Sequence, residues 1–184
     1  MPAIIKPPSL QLKRYSTRVF PAYRFVPGLN PHPTEDPRGH SYGKASEEIR
    51  IFDPKDWPTN EPYLYGVDLY NYAYWWESHE VWEGLWGAVP KNDMRSHFMQ
   101  GLIQISAAFL KWHLREAKGV AMLYESAMKY FSFVYPAHNH YMGLDLKTHL
   151  SRLSDHFKII KAGSVDRWPD PIKDYPFITL KAEL

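Results

Sequence analysis

The chain has 184 residues, a formal net charge of +2 and no cysteine. This length predicts one domain, the near balance of charges argues against a nucleic-acid-binding surface, and the missing thiols exclude disulfides, thiolate zinc sites and cysteine nucleophiles. No long apolar run follows a basic patch near residue 1, and no run of about 18 apolar residues occurs, so we expect a cytoplasmic protein without a secretory signal that does not enter a membrane.

The first third of the chain is rich in proline and aromatic residues. Prolines recur throughout residues 1–62 and exclude long helices there. Residues such as Phe20, Phe25 and Trp57 nevertheless give this segment apolar surface to bury. We therefore expect residues 1–62 to form an irregular arm packed on the body. Residues 63–184 are predicted to form a helical bundle domain with a short extended C-terminal tail.

Within this arm, residues 27–43 combine turn-forming glycine and proline with two histidines. Tight turns would bring His32, Asp36 and His40 close together. A second interpretation is that both histidines bond backbone carbonyls and only fix the loop.

The most informative stretch is residues 68–86, which we predict to form one helix. Its aromatic residues recur with the 3.6-residue period of a helix, which is typical of a side that faces the core. On this alignment His79 and Glu83 share the buried side, and Glu80 lies at its edge. A buried charge needs an ionic, hydrogen-bonding or metal partner, so this helix predicts a polar site.

Three further helices follow in the sequence. The predicted spans are residues 94–114, 117–133, and from near 145 to just before 163. Asn92 or Asp93 is the expected N-cap of the first of these, whose middle is apolar nearly all round, like the central helix of a bundle. Short connections predict a small antiparallel all-α bundle of four to five helices. Prolines after Trp168 predict an extended tail.

Four stretches of this sequence are similar to the signature of one known family. They are residues 68–71, 74–86, 100–108 and 143–145. Through them, roughly residues 64–160 resemble the domain of unknown function 309 family, and the arm resembles an extension of its longer members.

The resemblance implies a compact prokaryotic all-α domain without an established activity, so it assigns no catalytic residue. One departure is that Tyr72 or Ala73 lies near where the family usually has a small glycine. The motif positions that the resemblance carries over are Glu77, His79, Glu80, Glu83, Trp86 and Gln104.

One interpretation of these polar residues is a metal site. His79 and Glu83, with Glu80 beside them, offer one nitrogen and two carboxylates, and His32 or His40 from the arm would complete the set. Such ligands suit a divalent transition metal such as zinc, manganese or iron. The spacing lacks both the His-Glu-x-x-His pattern of zincins and the paired Glu-x-x-His motifs of di-iron bundles.

A second interpretation needs no metal. A buried His79 beside carboxylates and an amide would have a shifted pKa suited to acid–base chemistry or to ligand binding, with tryptophans as an aromatic wall. The same groups would equally lock two helices in register without binding anything. The residues expected to line a ligand site are Glu77, Trp82, Trp86, His97 and Gln104.

The sequence therefore leaves the function open. We predict a helical domain of unknown function whose polar cluster is a small-molecule-binding or structural site, and the alternative is a metal-dependent hydrolase that uses His79, Glu80 and Glu83. A homodimer through an exposed aromatic face is a further prediction. Basic residues such as Arg14, Arg18 and Arg24 alternate with aromatics in the arm, but the near-neutral total favours a solvated edge over an RNA-binding surface.

Overall fold

The structure is a computed structural model that describes residues 12–45, 47–135, 137–160, 170–173 and 175–181. Within these residues the chain is mainly helical, as predicted, and the only sheet has two short strands. A 3-10 helix at Pro54–Thr59 comes before the first α-helix. The α-helices are α1 (Glu61–Asn71), α2 (Trp75–Gly87), α3 (Met94–His113), α4 (Ala117–Phe131) and α5 (Leu146–Phe157), and the strands are β1 (His140–Tyr141) and β2 (Leu144–Asp145).

Residues 68–86 do not form one helix, so that prediction is wrong. Helix α1 ends at Asn71, and α2 begins at Trp75 after a break. Within the break Ala73 has a φ of +62°, and the amide of Tyr74 donates to the carbonyl of Leu69 at 2.8 Å. This is a Schellman motif, in which a left-handed residue ends a helix; glycine usually fills that position, and alanine does so here.

The central part of the bundle agrees closely with the sequence. Helix α3 covers Met94–His113 and is capped by the side chain of Asp93, which is one of the two expected caps. It packs between α2 and α4, as its apolar middle predicted. The approach to α4 is close: a Cβ at Gly101 would lie 2.5 Å from the ring of Phe131. Helices α4 and α5 start within a residue of their predicted positions but end earlier.

Two buried polar residues of α1 hold segments that are distant in sequence. Asp68 is fully buried and accepts hydrogen bonds from the Arg14 side chain and from the amides of Tyr15 and Ser16 at 2.7 to 2.9 Å. One turn later, the Asn71 side chain exchanges two 2.8 Å hydrogen bonds with the backbone of Ile178. Helix α1 thus fixes part of the N-terminal arm and part of the C-terminal tail.

The described part of the C-terminal tail runs alongside the β-hairpin. Leu180 forms an antiparallel bridge with Leu144, and the amide of Lys181 donates to the carbonyl of Gly143 at 2.9 Å. Alternate tail residues face the core, as in an extended strand: Ile178 and Leu180 are buried, whereas Thr179 and Lys181 are exposed. The sequence prediction of an extended tail also covers residues 168–169, 174 and 182–184, which lie outside the described residues.

None of the helices in the described part of the chain is long and apolar enough to cross a membrane.

Candidate functional site

Helix α2 carries the candidate residues, and its inner side is set by the break before it. Trp75, Ser78, Trp82 and Leu85 are buried at helical spacing. Close contact with α1 fixes this side, because a Cβ at Gly66 would lie 2.2 Å from the Trp82 indole nitrogen. Towards α3, the Ser78 hydroxyl donates to the Ser106 hydroxyl at 3.0 Å.

Glu77 is the buried carboxylate of α2. It is 4% exposed, and its Oε1 accepts a hydrogen bond from the amide of Phe25 at 2.8 Å. The Nε2 atom of His40 lies 3.2 Å from the same oxygen, and the side chain of His40 is 7% exposed. On the other side of the ring, Nδ1 of His40 lies 2.9 Å from the Ser41 hydroxyl. Glu77 and His40 therefore form a buried pair that fastens the arm to α2.

Three ionisable side chains lie together on the outer side of α2. One ligand atom from each of His79, Glu80 and Glu83 can be chosen so that all three lie within 4.8 Å of one another. Nδ1 of His79 lies 3.2 Å from Oε1 of Glu80, and these two side chains are 28% and 42% exposed. Among the residues that the structure describes, this is the only such group of three or more histidines and acids. We call these residues the outer triad.

The expected burial of His79 and Glu83 is wrong. Glu83 is exposed and His79 is half-buried, while Glu77 takes the buried position. The predicted stripe was misplaced because the aromatic residues alone set it: Trp75 and Trp82 are buried together with Ser78 and Leu85, whereas Trp76 and Trp86 are only half-buried.

The residues predicted to line a ligand site do not meet at one place. Trp82 is completely buried. The Lys91 ammonium lies 3.1 Å from the centre of the Trp86 ring, and the ring of His97 stacks on Phe133 with centroids 4.4 Å apart. The amide of Gln104 donates to Gln100 on the same helix at 3.3 Å. The sequence predicted that Gln104 faces the acids of α2. In the structure, the polar contact between α2 and α3 is the hydrogen bond from Ser78 to Ser106.

The two histidines of the arm have separate positions. His40 pairs with Glu77, whereas the His32 ring packs edge-on against Trp76 and Phe25, with centroids 5.5 and 5.1 Å away. Neither belongs to the outer triad. Asp36 turns to Arg38, which hydrogen-bonds its carboxylate and lowers its pKa to about 2. The expected meeting of His32, Asp36 and His40 therefore does not occur.

The basic residues of the arm are used within the protein. Besides its contact with Asp68, Arg14 lies over the Phe20 ring at 4.0 Å, and Arg18 forms a 2.7 Å ion pair with Glu47. Burial lowers the pKa of Arg24, although Tyr74 and Glu77 nearby oppose that change.

The sequence interpretation did not identify a cavity that lies beside α5. The signal was present, because Asp145, Thr148, His149 and Arg152 follow the i, i+3, i+4, i+7 spacing of one helix ridge. The other wall of the cavity comes from the C-terminal tail, and nothing in the sequence joins the two.

Comparison with known proteins adds the family. No curated protein matches this chain. Residues 63–123, from α1 to the first half of α4, match the model of one family and contain most of the stretches on which the sequence resemblance was based. That family is DUF309, a domain of unknown function, and the match over this third of the chain supports the resemblance.

Proposed function

We propose that the outer triad of α2 binds a divalent transition-metal ion. The observation that carries this proposal is the approach of one ligand atom each from His79, Glu80 and Glu83 to within 4.8 Å of one another. An ion at this place would receive one imidazole nitrogen and two carboxylate oxygens, a mixed set that suits zinc, manganese or iron.

The charges around the triad support a cation as the ligand. Glu80 and Glu83 lie three residues apart on one helix face, where like charges repel. Neither forms an ion pair with a lysine or arginine in the part of the chain that the structure describes. A bound divalent cation would neutralise both carboxylates.

All three ligands come from a little more than one helical turn, so they would occupy one side of the ion. The remaining coordination positions would hold water or a second ligand, as in open metal sites. Because the other side of the ion would be open to solvent, we expect the metal to bind more weakly than at sites whose ligands come from several elements.

The hydrolase alternative goes further than the geometry supports. A hydrolase needs a place for its substrate beside the metal, and His79, Glu80 and Glu83 line none of four cavities found among the described residues. The buried Glu77 is held by His40 and Phe25, which argues for a structural role. Metal binding without an assigned reaction is therefore our proposal.

The test is a calorimetric titration of metal-free protein with Zn²⁺ and Co²⁺. We expect about one equivalent to bind, and an affinity at least about tenfold lower in His79→Ala and in Glu83→Gln. Glu125→Gln on α4, which also removes an exposed carboxylate, should bind like the wild type. Binding that His79→Ala leaves unchanged, or no saturable binding at all, would refute the proposal.

Several expectations from the sequence stay predictions. These are the cytoplasmic location, the prokaryotic origin, the division of the chain at residues 62 and 63, the homodimer and the lack of a nucleic-acid partner. The finer description of the fold as an antiparallel bundle of four to five helices wrapped by a proline-rich arm belongs to the same set.

A further inference from the structure

A small cavity lies between the β-hairpin, the first turns of α5 and the C-terminal tail. Its volume is about 200 Å³. The ridge of α5 forms one wall, and alternate residues of the tail form the other. The lining residues that matter for its chemistry are Asp145, Thr148, His149, Arg152, Phe177 and Lys181.

His149 is the buried polar group of this cavity. It is 3% exposed, and neither of its ring nitrogens has a hydrogen-bond partner among the residues that the structure describes. Burial lowers the pKa of His149 to about 4, so the ring is neutral at pH 7, with one N–H donor and one acceptor. A buried polar group without a partner costs free energy and is rare in folded proteins. Its position in a cavity wall lets a bound ligand supply that partner.

The charged groups around the cavity favour an anion. Arg152 and Lys181 are exposed and form no ion pair with a described carboxylate. Asp145 is the one acid among the described lining residues, and its two oxygens already accept from the amide and the hydroxyl of Thr148, at 3.0 and 2.7 Å, as the N-cap of α5. His140, at the edge, lies 3.9 Å from Asp145. Among the described residues, two cations without an ion pair thus face one carboxylate, whose pKa is lowered by the hydrogen bonds from Thr148 and in part by the charge of Lys181.

We propose that this cavity binds the carboxylate group of a small organic acid. Arg152 and Lys181 would neutralise the charge, the guanidinium of Arg152 offering the paired donors that match a carboxylate, and His149 would donate its N–H to the ligand. The apolar side chains of Leu144 and Phe177 also line the cavity and suit the hydrocarbon part of such an acid. An excess of one positive charge matches a monoanion better than it matches a phosphate dianion.

This site is separate from the outer triad, so it does not depend on the proposed metal. Its closest competitor is water, because an ordered water molecule would also satisfy a ring nitrogen of His149. The two explanations differ because a bound carboxylate requires Arg152 and Lys181, whereas a bound water molecule does not.

The experiment is an NMR titration of the full chain at pH 7 and constant ionic strength, observing the ring proton of His149. Propionate is the probe, propionamide its neutral analogue, and inorganic phosphate the competing anion. We expect a saturable shift with propionate and none with propionamide. Arg152→Gln should weaken propionate binding by about tenfold or more, as the loss of a charge-assisted hydrogen bond does. Lys147→Gln removes an exposed positive charge from the same helix outside the cavity and should leave binding unchanged.

A second observable separates direct contact from a general charge effect. Bound propionate should raise the pKa of His149, because a negative charge close to the ring favours its protonated form. A non-saturating response to propionate, equal binding by Arg152→Gln, or saturation by phosphate but not by propionate would each overturn the proposal. The first result would leave water as the partner of His149.

Discussion

The two sides of α2 carry the same kinds of side chain in opposite surroundings. On the inner side, Glu77 is 4% exposed and is held by His40 and by the amide of Phe25. On the outer side, His79, Glu80 and Glu83 lie within reach of one another, and no described residue of another helix forms an ion pair with them. In both places an imidazole meets a carboxylate, yet one pair joins two parts of the chain and the other faces solvent.

The comparison shows that residue type sets which chemistry a side chain offers, whereas burial decides whether it stabilises the fold or stays available for a ligand. A buried carboxylate that loses its partner lowers the free energy of unfolding strongly, so the pair of Glu77 and His40 has a structural role. An exposed group contributes little to stability and remains available for a ligand. The predictions below test whether the two sides are as different as their surroundings.

The largest expected effect is that of His40→Ala. The change removes the imidazole that pairs with the buried carboxylate of Glu77 and leaves the hydrogen bond from the amide of Phe25, and breaking a buried pair costs about 3 to 5 kcal/mol. Chemical denaturation of wild type and variant measures the loss. His79→Ala is the matched control on the outer side, and there we expect a change of less than about 0.5 kcal/mol. Equal losses in the two variants would remove the contrast between the sides.

The second prediction extends the contrast to a buried histidine without a protein partner among the described residues. The folded-state pKa of His149 is about 4, below its ordinary value of 6.5. The unfolded chain therefore binds more protons between these values, and the folded state loses stability as the pH falls from about 6.5 towards 4, in total on the order of 3 kcal/mol. His149→Gln should flatten the pH dependence in this window, as followed by urea denaturation at several pH values. A slope unchanged by the substitution would show that other groups cause it.

The smallest expected effect concerns the break that orients α2. Ala73 adopts a left-handed conformation, which costs a residue with a Cβ about 1 to 2 kcal/mol. Ala73→Gly removes this strain but also loses a buried methyl group worth about 0.8 kcal/mol. We expect the free energy of unfolding to rise by between zero and about 1 kcal/mol.

Ala108→Gly, inside α3 and completely buried, is the control for this change. It should lower stability by about 2 kcal/mol, because glycine disfavours the helix and the methyl contact is lost as well. Thermal or chemical unfolding of the wild type and both variants measures the two changes in stability. If Ala73→Gly and Ala108→Gly lower the free energy of unfolding equally, the conformation of Ala73 is not strained.

The sequence was sufficient for the elements that signal locally. Asn92 or Asp93 before an apolar run predicted the start of α3, and the start of α5 was predicted to within a residue. It was insufficient where the outcome depends on a backbone conformation or on distant segments. An alanine gives no sign that it will adopt a positive φ, so the break at Ala73 was missed.

Separation in the sequence decided which of three polar groups were recognised before the structure. The outer triad lies within five consecutive residues, so helical spacing alone predicted that its members would meet. The pair of Glu77 and His40 spans 37 residues, and the cavity at His149 needs both α5 and the tail. Their geometry depends on how the arm and the tail pack, which no periodicity describes.

One turn of α1 has a consequence for how the protein opens. Asp68 holds Tyr15 and Ser16, Asn71 holds Ile178, and the amide of Leu180 donates to the hydroxyl of Tyr15 at 2.9 Å. Segments more than 160 residues apart in sequence thus contact each other directly. In native-state hydrogen exchange, the amides of Ser16, Ile178 and Leu180 should therefore become accessible together as one cooperative unit, while the amides inside α3 stay protected for longer.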